Sequence, residues 1–215
     1  MKQTIPQLKS TINSIITKLE IEYPDAQCAL LHDNPFQLLI ATILSAQCTD
    51  ERVNIVTRTL FQKFPSPQEF ADVPIEELEK EIYSTGFYKA KAKNIQACCR
   101  QLLERFDGEI PRTMDELHSL PGVGRKTANV VLGNAFGIAA GVTVDTHVTR
   151  VCHLLGLTEG KNAEAIEREL MEIVPQEKWT SFTHLIISHG RTICIARRPK
   201  CSECVLNIIC PSSLI

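Results

Sequence analysis

The sequence lacks three features, each of which would point to a class of protein. No apolar run approaches the roughly 20 residues that a membrane-spanning helix needs. The glycine-rich fingerprint of a dinucleotide-binding unit is missing. Nor does any long stretch alternate apolar and polar residues, as half-buried strands do. Membrane proteins, dinucleotide-binding folds and β-sheet domains are therefore disfavoured.

An excess of positive charge is missing as well. Lysine and arginine number 23 against 25 aspartates and glutamates, which gives a formal net charge of −2. Binding to nucleic acid would therefore depend on a local basic surface. Residues 1–6 lack the apolar stretch of a secretory signal, so we expect a cytoplasmic protein. In that compartment the nine cysteines should be thiols or metal ligands and not disulfides.

Helical periodicity runs through most of the chain. Apolar residues recur at the three- and four-residue intervals that place them on one face of a helix. The clearest sets are Ile12, Ile15, Ile16 and Leu19; Phe36, Leu39, Ile40 and Ile43; and Val148, Val151, Cys152 and Leu155. Residues 142–144 are the only extended candidate. We predict an all-α protein in which four glycines end helices in the left-handed conformation, namely Gly86, Gly108, Gly156 and Gly190.

A short turn between two helical segments contains Gly122, Val123 and Gly124. Glycine at both places permits a positive φ and close approach of another backbone. The amides of such a turn, together with the following helix N-terminus, suit a phosphate group. The alternative is an ordinary αα-hairpin whose glycines only allow tight packing. Arg125 and Lys126 directly follow the turn, and they favour phosphate binding.

Four cysteines are grouped near the C-terminus, and their spacing predicts one metal centre. Zinc sites made only of cysteine commonly contain two Cys-x-x-Cys pairs, whereas this group has one, Cys201 with Cys204. Four thiolates also satisfy an iron–sulfur cluster. The spacing alone leaves iron and zinc open. The proposed ligands are Cys194, Cys201, Cys204 and Cys210, and the cysteines expected as small core residues are Cys28, Cys48, Cys98, Cys99 and Cys152.

Residues 120–132 closely resemble the helix-hairpin-helix of endonuclease III, a family of bifunctional DNA glycosylases and abasic-site lyases. Residues 44–47, residues 144–148 and the four grouped cysteines match the same family in the same order, so the resemblance covers almost the whole chain. It implies that the metal centre is a structural 4Fe-4S cluster. It also implies a monomer that binds double-stranded DNA containing oxidised pyrimidines or abasic sites.

The same resemblance implies that Lys126 is the catalytic nucleophile and that Asp145 assists it. A deprotonated lysine amine can attack C1′ of a nucleotide, release the base and form an imine, after which β-elimination cuts the strand. The simpler alternative for Lys126 is an exposed lysine that bonds a phosphate. Asp145 could instead cap the helix that begins at Thr146, and that role can coexist with catalysis.

Two further residues are candidates for filling the gap that an extruded nucleotide leaves. Gln47 resembles the void-filling glutamine of the family, and Phe87 stands where we expect an apolar wedge. A core phenylalanine is an equal alternative for Phe87. Three lysines beside it could line a DNA strand or simply solvate the start of a helix: Lys89, Lys91 and Lys93.

A basic segment lies between the first two cysteine ligands, with Arg197, Arg198 and Lys200 and no acidic residue among them. A solvated charged loop is one interpretation. The family resemblance favours a loop that contacts DNA phosphates, which would supply the positive surface that the net charge lacks.

The resemblance also implies two helical lobes. Residues 28–138 would form a central six-helix domain with the hairpin, and residues 1–27 with 139–215 would form a terminal domain with the cluster. Lys126 and Asp145 would then face each other across a cleft between the lobes.

Three rival functions remain. A related adenine glycosylase shares the hairpin, aspartate and cluster, but it lacks a lysine at the position of Lys126 and carries an added C-terminal domain. Here the lysine is present and only five residues follow Cys210, so we expect the lyase. A non-catalytic helix-hairpin-helix protein with a structural metal would bind DNA without reacting. A redox carrier is disfavoured, because the hairpin would then have no purpose.

Overall fold

The computed structural model describes residues 4–215, and every regular element among them is helical. The all-α prediction is confirmed. Residues 142–144 lie in a loop, and the described part of the chain contains no β-strand. Among residues 4–215, no helix combines the length and apolar character needed to cross a bilayer. The expectation that the chain has no secretory signal rests on residues 1–6, and the first three of these lie outside the described residues.

The α-helices of the described residues are α1 (Ile5–Glu22), α2 (Pro35–Leu44), α3 (Asp50–Lys63), α4 (Pro67–Asp72), α5 (Ile75–Ile82), α6 (Tyr88–Phe106), α7 (Met114–His118), α8 (Arg125–Phe136), α9 (Thr146–Leu154), α10 (Ala163–Ile173) and α11 (Trp179–Thr192). Three short 3-10 turns cover Tyr83–Thr85, Gln176–Lys178 and Cys201–Glu203. The chain divides into two compact units, Met1–Gln27 with Ala139–Ile215, and Cys28–Ile138. We call them the terminal unit and the central unit.

The central unit contains seven α-helices, α2 to α8, where six are predicted. Its shortest helices, α4 and α7, have six and five residues. Helices this short make little more than one turn, so they leave no periodic pattern in the sequence. The hydrophobic centre of the unit is α2, most of whose residues are buried, including the predicted Phe36, Leu39, Ile40 and Ile43. A helix that is apolar on all sides must be covered on all sides, and α2 packs against α3, α6 and α8.

The terminal unit is built from α1, α9, α10 and α11 around one apolar core. The predicted apolar faces of α1 and α9 are buried in it, which confirms both periodicities. Local signals also fix where helices begin. Asn162 caps α10 by accepting a hydrogen bond from the amide of Ala165 at 2.9 Å.

Three of the four helix-ending glycines are confirmed. Gly86, Gly108 and Gly156 have φ values of 70°, 80° and 69°. Gly190 is different, because it lies inside α11. A Cβ atom at Gly190 would lie 3.1 Å from Nδ1 of His147, on α9. The prediction is therefore wrong for Gly190, whose role is to let α9 and α11 approach closely.

Candidate active site and cysteine cavity

The turn between α7 and α8 is short and braced from within the central unit. The amide of Val123 donates to the carbonyl of Leu120 at 3.1 Å, which closes the turn. Gly122 has a φ of 78°, in the left-handed region. A Cβ atom there would lie 2.9 Å from Cβ of Asn94 on α6, closer than side chains tolerate. Glycine at 122 is thus required both by its backbone conformation and by its contact with α6.

Gly124 is the N-cap of α8, with a φ of −87° and a ψ of 172°. This is an extended conformation that any residue can adopt, so the positive φ that glycine permits is not used at this position. Because glycine has no side chain, the first amides of α8 are left without a side-chain cap. Arg125 and Lys126 are the first two residues of α8, and both are exposed. The turn therefore combines uncapped amides with two cationic side chains.

Asp145 lies in the terminal unit as the N-cap of α9. Its Oδ1 atom accepts a hydrogen bond from the amide of Val148 at 2.8 Å, which confirms the capping role. The carboxylate is partly buried. The cap fixes the direction of the group.

Gln47 and Phe87 share an unusual backbone conformation. Their φ values are 53° and 48°, and among residues 4–215 the only other non-glycine residue with a positive φ is Asp107. Both side chains are exposed, Phe87 to 67% of its surface. The core interpretation of Phe87 is therefore wrong. Left-handed non-glycine residues are costly, and they cluster at functional positions.

The basic segment after Cys194 forms a compact loop. Arg197, Arg198 and Lys200 are all exposed. The base of the loop is closed by hydrogen bonding, because the amide of Lys200 donates to the carbonyl of Ile193 at 3.0 Å. The three exposed cationic residues thus belong to one short loop of the terminal unit.

The four grouped cysteines line a single cavity of about 160 Å³, which we call the cysteine cavity. All four are partly buried and none forms a disulfide. Burial raises the pKa of the Cys194 and Cys204 thiols, and each pKa is raised further by neighbouring thiols, Cys210 among them. In residues 4–215, no three His, Cys, Asp or Glu side chains are placed to hold one metal ion. The four thiols therefore share one cavity.

Three residues that the sequence analysis missed support this cavity. Arg150 donates from Nη1 to the carbonyl of Cys194 and from Nη2 to the carbonyl of Gly190, the latter at 3.0 Å. The buried His189 has its Nε2 atom 3.5 Å from Sγ of Cys204. The third is Tyr23, whose hydroxyl lies 3.2 Å from Nδ1 of His189. The local sequence does not predict these contacts, because they join residues far apart in the chain.

The other cysteines divide into two groups. Cys98, Cys99 and Cys152 are fully buried, as predicted, and burial raises the pKa of Cys98 to about 12. Cys28 and Cys48 are only partly buried, so the core prediction is wrong for these two. Both lie in loops, outside the apolar faces of the helices.

Comparison with known proteins identifies the family to which this chain belongs. Residues 40–176 match the model of the HhH-GPD superfamily of base excision DNA repair proteins. Endonuclease III of Synechocystis sp. is 55% identical over 205 residues, which cover 95% of this chain and 94% of that protein. Endonuclease III of Bacillus subtilis is 48% identical, with 93% and 91% covered. A solved structure of a trapped endonuclease III–DNA covalent intermediate has a TM-score of 0.90 and 47% identity, and covers 95% of this chain and 96% of that one.

The chain belongs to the endonuclease III family. The resemblance recognised from the motifs is confirmed. The hairpin, Gln47, Phe87, Lys126 and Asp145 all fall within the residues that match the superfamily model. The four grouped cysteines lie beyond that range, in a part of the chain that this model does not cover.

The most informative residue that sequence analysis misjudged is Lys91 of α6. It was expected to line DNA or to be solvated, yet only 5% of it is exposed. Its Nζ atom donates to the carbonyls of Leu44 and Thr85, at 2.7 and 2.8 Å. A signal was available, because Lys91 precedes the buried Ile95 by four residues and therefore lies on the apolar face of α6.

Proposed function

We propose that this protein is a bifunctional DNA glycosylase and abasic-site lyase that removes oxidised pyrimidines from duplex DNA. The observation that carries the proposal is the position of Lys126, an exposed amine on the first turn of α8 directly after the glycine turn. It occurs in a member of the endonuclease III family matched along nearly its whole length. Its substrate implies that the protein works where the cell keeps its chromosome, which is the cytoplasm in a bacterium.

DNA binding begins with the backbone. Gly124 gives α8 no side-chain cap, and at the N-terminus of a helix the helix dipole favours an anion such as a DNA phosphate. A contact of this kind fixes the position of the strand and reads no base, which suits an enzyme that must find damage in any sequence. The basic loop with Arg197, Arg198 and Lys200 would add phosphate contacts from the terminal unit.

Lys126 then carries the covalent chemistry. The lone pair of its Nζ atom attacks C1′ of the extruded nucleotide, and the glycosidic bond breaks with its electron pair going to the base, which takes up a proton. Opening of the sugar ring leaves an imine between Nζ and C1′, with a proton on the ring oxygen. Loss of a C2′ proton expels the 3′ phosphate by β-elimination, and water then hydrolyses the imine to restore the amine.

Asp145 supports this sequence from the terminal unit. One oxygen is committed to capping α9, which holds the carboxylate in a fixed orientation. The other can accept a proton from the attacking amine or stabilise positive charge on the sugar as the base departs. Removing the charge should therefore slow the reaction and leave the fold largely intact.

The residues of the cysteine cavity fit a 4Fe-4S cluster. Cys194, Cys201, Cys204 and Cys210 supply four thiol ligands around one space, and no three of them are placed for a single ion. Four thiolates satisfy such a cluster, and membership of the endonuclease III family favours iron over zinc. With all four positions filled by protein, the cluster would serve to staple the basic loop and would take no part in the reaction.

The test is borohydride trapping on a duplex that contains thymine glycol. Borohydride reduces an imine to a stable amine, so the enzyme should become covalently linked to DNA through Lys126. Lys126→Gln should lower adduct formation and strand cutting by about a thousandfold or more while damaged-DNA binding persists.

Lys80→Gln is the matched control, because Lys80 is an exposed lysine on α5 of the same unit. It should behave as the unchanged protein does. Adduct formation that survives Lys126→Gln would assign the nucleophile to another residue. No adduct with the unchanged protein, despite tight binding to damaged DNA, would favour a non-catalytic binder.

A further inference from the structure

Lys91 places a positive charge in the interior of the central unit. Only 5% of the residue is exposed, and burial lowers the pKa of its ammonium group, an effect that the neighbouring Cys48 thiol opposes. Buried charges persist only where hydrogen bonds replace the lost water. Here two carbonyl oxygens do so, those of Leu44 and Thr85, at 2.7 and 2.8 Å from Nζ.

The two carbonyls belong to two different loops. Leu44 is the last residue of α2, and the chain reaches Gln47 three residues later. Thr85 ends a 3-10 turn, and Phe87 follows two residues later. One ammonium group therefore ties together the starts of the two loops that carry the candidate void-filling side chains.

Both loops need such support, because Gln47 and Phe87 adopt left-handed conformations that are unfavourable for residues with a side chain. A residue in this region persists only where its surroundings dictate the backbone path. The carbonyl of Leu44 lies at the C-terminus of α2, where the helix dipole adds negative potential that suits an ammonium group. Lys91 thus fixes both loops from a single point on α6.

The same helix also supports the glycine turn. Asn94, one turn after Lys91, contacts Gly122 so closely that a Cβ atom there would lie 2.9 Å from its own Cβ. Three short segments proposed to touch DNA are therefore placed by the first two turns of α6.

We propose that Lys91 is a positioning residue, which locks the Gln47 and Phe87 loops together so that both side chains can occupy the gap left by an extruded nucleotide. The proposal rests on the glycosylase and lyase function given above. It assigns Lys91 no contact with DNA, because its ammonium group is enclosed and committed to two backbone carbonyls.

Lys91→Met tests it, since methionine is of similar length and apolar and makes neither hydrogen bond. Borohydride trapping is measured on two substrates, a duplex with one abasic site and the same abasic strand alone. The duplex reaction requires a gap to be filled, and the single-strand reaction does not. Lys91→Met should lower the ratio of duplex to single-strand rates by about tenfold or more, as expected for loss of hydrogen bonds to a charged group.

Lys80→Met makes the same chemical change at an exposed position on α5, and it should leave the ratio unaltered. A second measurement uses 2-aminopurine opposite the abasic site, whose fluorescence reports whether the gap is filled in any variant that binds. We expect Lys91→Met to alter this signal in the bound complex. A purely structural lysine would slow both trapping reactions equally, and that result, or an unchanged ratio, would overturn the proposal.

A double-mutant cycle sharpens the assignment. In a Gln47→Ala, Phe87→Ala background there is no void-filling side chain left to position, so Lys91→Met should lower the ratio no further. A further fall would mean that Lys91 acts by another route and would overturn the proposal.

Lys91→Gln covers the case in which the methionine variant does not fold. Its shorter polar side chain cannot reach both carbonyls, so the ratio should fall several-fold, and an unchanged ratio would refute the positioning role. Failure of the underlying function is distinct from all these outcomes, because the unchanged protein would then give no adduct on either substrate.

Discussion

In the central unit the exposed loops are tied to the interior by the buried ammonium group of Lys91, whereas in the terminal unit the exposed basic loop begins and ends at thiols. Surface loops of this kind are usually more mobile than the elements they connect. In both units, groups in the interior hold the loops in position. The central unit uses hydrogen bonds to Leu44 and Thr85, and the terminal unit uses the cysteine cavity.

The two units differ in whether the groups that hold the loops find all of their partners in the polypeptide or also need a metal centre. Lys91 finds both of its partners in the polypeptide, so the loops it holds need no other component. The thiols of the cysteine cavity are grouped side by side, with burial and mutual proximity raising the pKa of Cys194 and Cys204. Grouped thiols gain most when a metal centre takes up their deprotonated forms. The central unit should therefore be independent of metal, and the loop of residues 194–210 should not.

The largest expected effect comes from removing one thiol of the cysteine cavity. Cys204→Ser should abolish the iron and acid-labile sulfide of the purified protein, because the proposed cluster needs four thiolates. Amide hydrogen exchange should then show residues 194–210 opening more easily, by about 3 kcal/mol or more, with residues 28–138 unaffected. Elemental analysis and hydrogen exchange measure the two effects.

Cys28→Ser is the control, since this partly buried cysteine belongs to the central unit. It should keep the full complement of iron. If Cys204→Ser loosened both units to the same extent, the contrast between them would be lost. Full iron content in Cys204→Ser would remove Cys204 from the ligand set.

The parts of the molecule that sequence could predict are those whose causes are local. Apolar residues at helical intervals identified the faces of α1, α2 and α9, and all three are buried. The turn before α8 was visible because its glycines and cationic residues are consecutive in the chain. Asp145 was recognisable as a cap for the same reason, since its partner is three residues away.

The parts that sequence could not predict depend on contacts between distant residues. The position of Lys91 on the apolar face of α6 indicates burial, but nothing near it in the chain reveals that Leu44, 47 residues away, provides its hydrogen-bond acceptor. Arg150 and Cys194 are 44 residues apart. Gly190 resembled a helix end, and only the packing of α9 against α11 explains why a glycine is needed there. Tertiary packing overrides local propensity at such positions.

Two glycines of the hairpin offer the next largest contrast, within the central unit itself. Gly122→Ala should destabilise the protein by about 2–3 kcal/mol, because alanine is strained at a φ of 78° and its Cβ would collide with Asn94. Gly124→Ala should cost no more than about 0.5 kcal/mol, since its φ is −87° and nothing lies within 4 Å of the added atom. Urea denaturation of both variants measures the difference.

Equal losses of stability would show that the contact with α6 does not support the turn. The two glycine variants also distinguish an effect on stability from an effect on DNA binding. Gly124→Ala adds a methyl group next to the amides proposed to hold a phosphate, so a loss of DNA affinity in this stable variant would come from the binding surface alone.

The smallest expected effect concerns the basic loop of the terminal unit. Arg197→Ala with Arg198→Ala should weaken binding to any duplex and reduce the slope of log K against log salt by about 2, one for each lost phosphate contact. The variant keeps all four cysteines, so its iron content should stay the same.

The matched control is Lys161→Ala with Arg168→Ala, which removes the same charge from exposed positions elsewhere in the terminal unit. If both pairs reduced the slope equally, overall charge would be responsible and the loop would have no special place on DNA. If only the first pair reduces the slope, the basic loop contacts DNA, and the cysteines matter to DNA binding because they position Arg197 and Arg198. Lys91 is proposed to do the same for the uncharged side chains of Gln47 and Phe87 in the central unit.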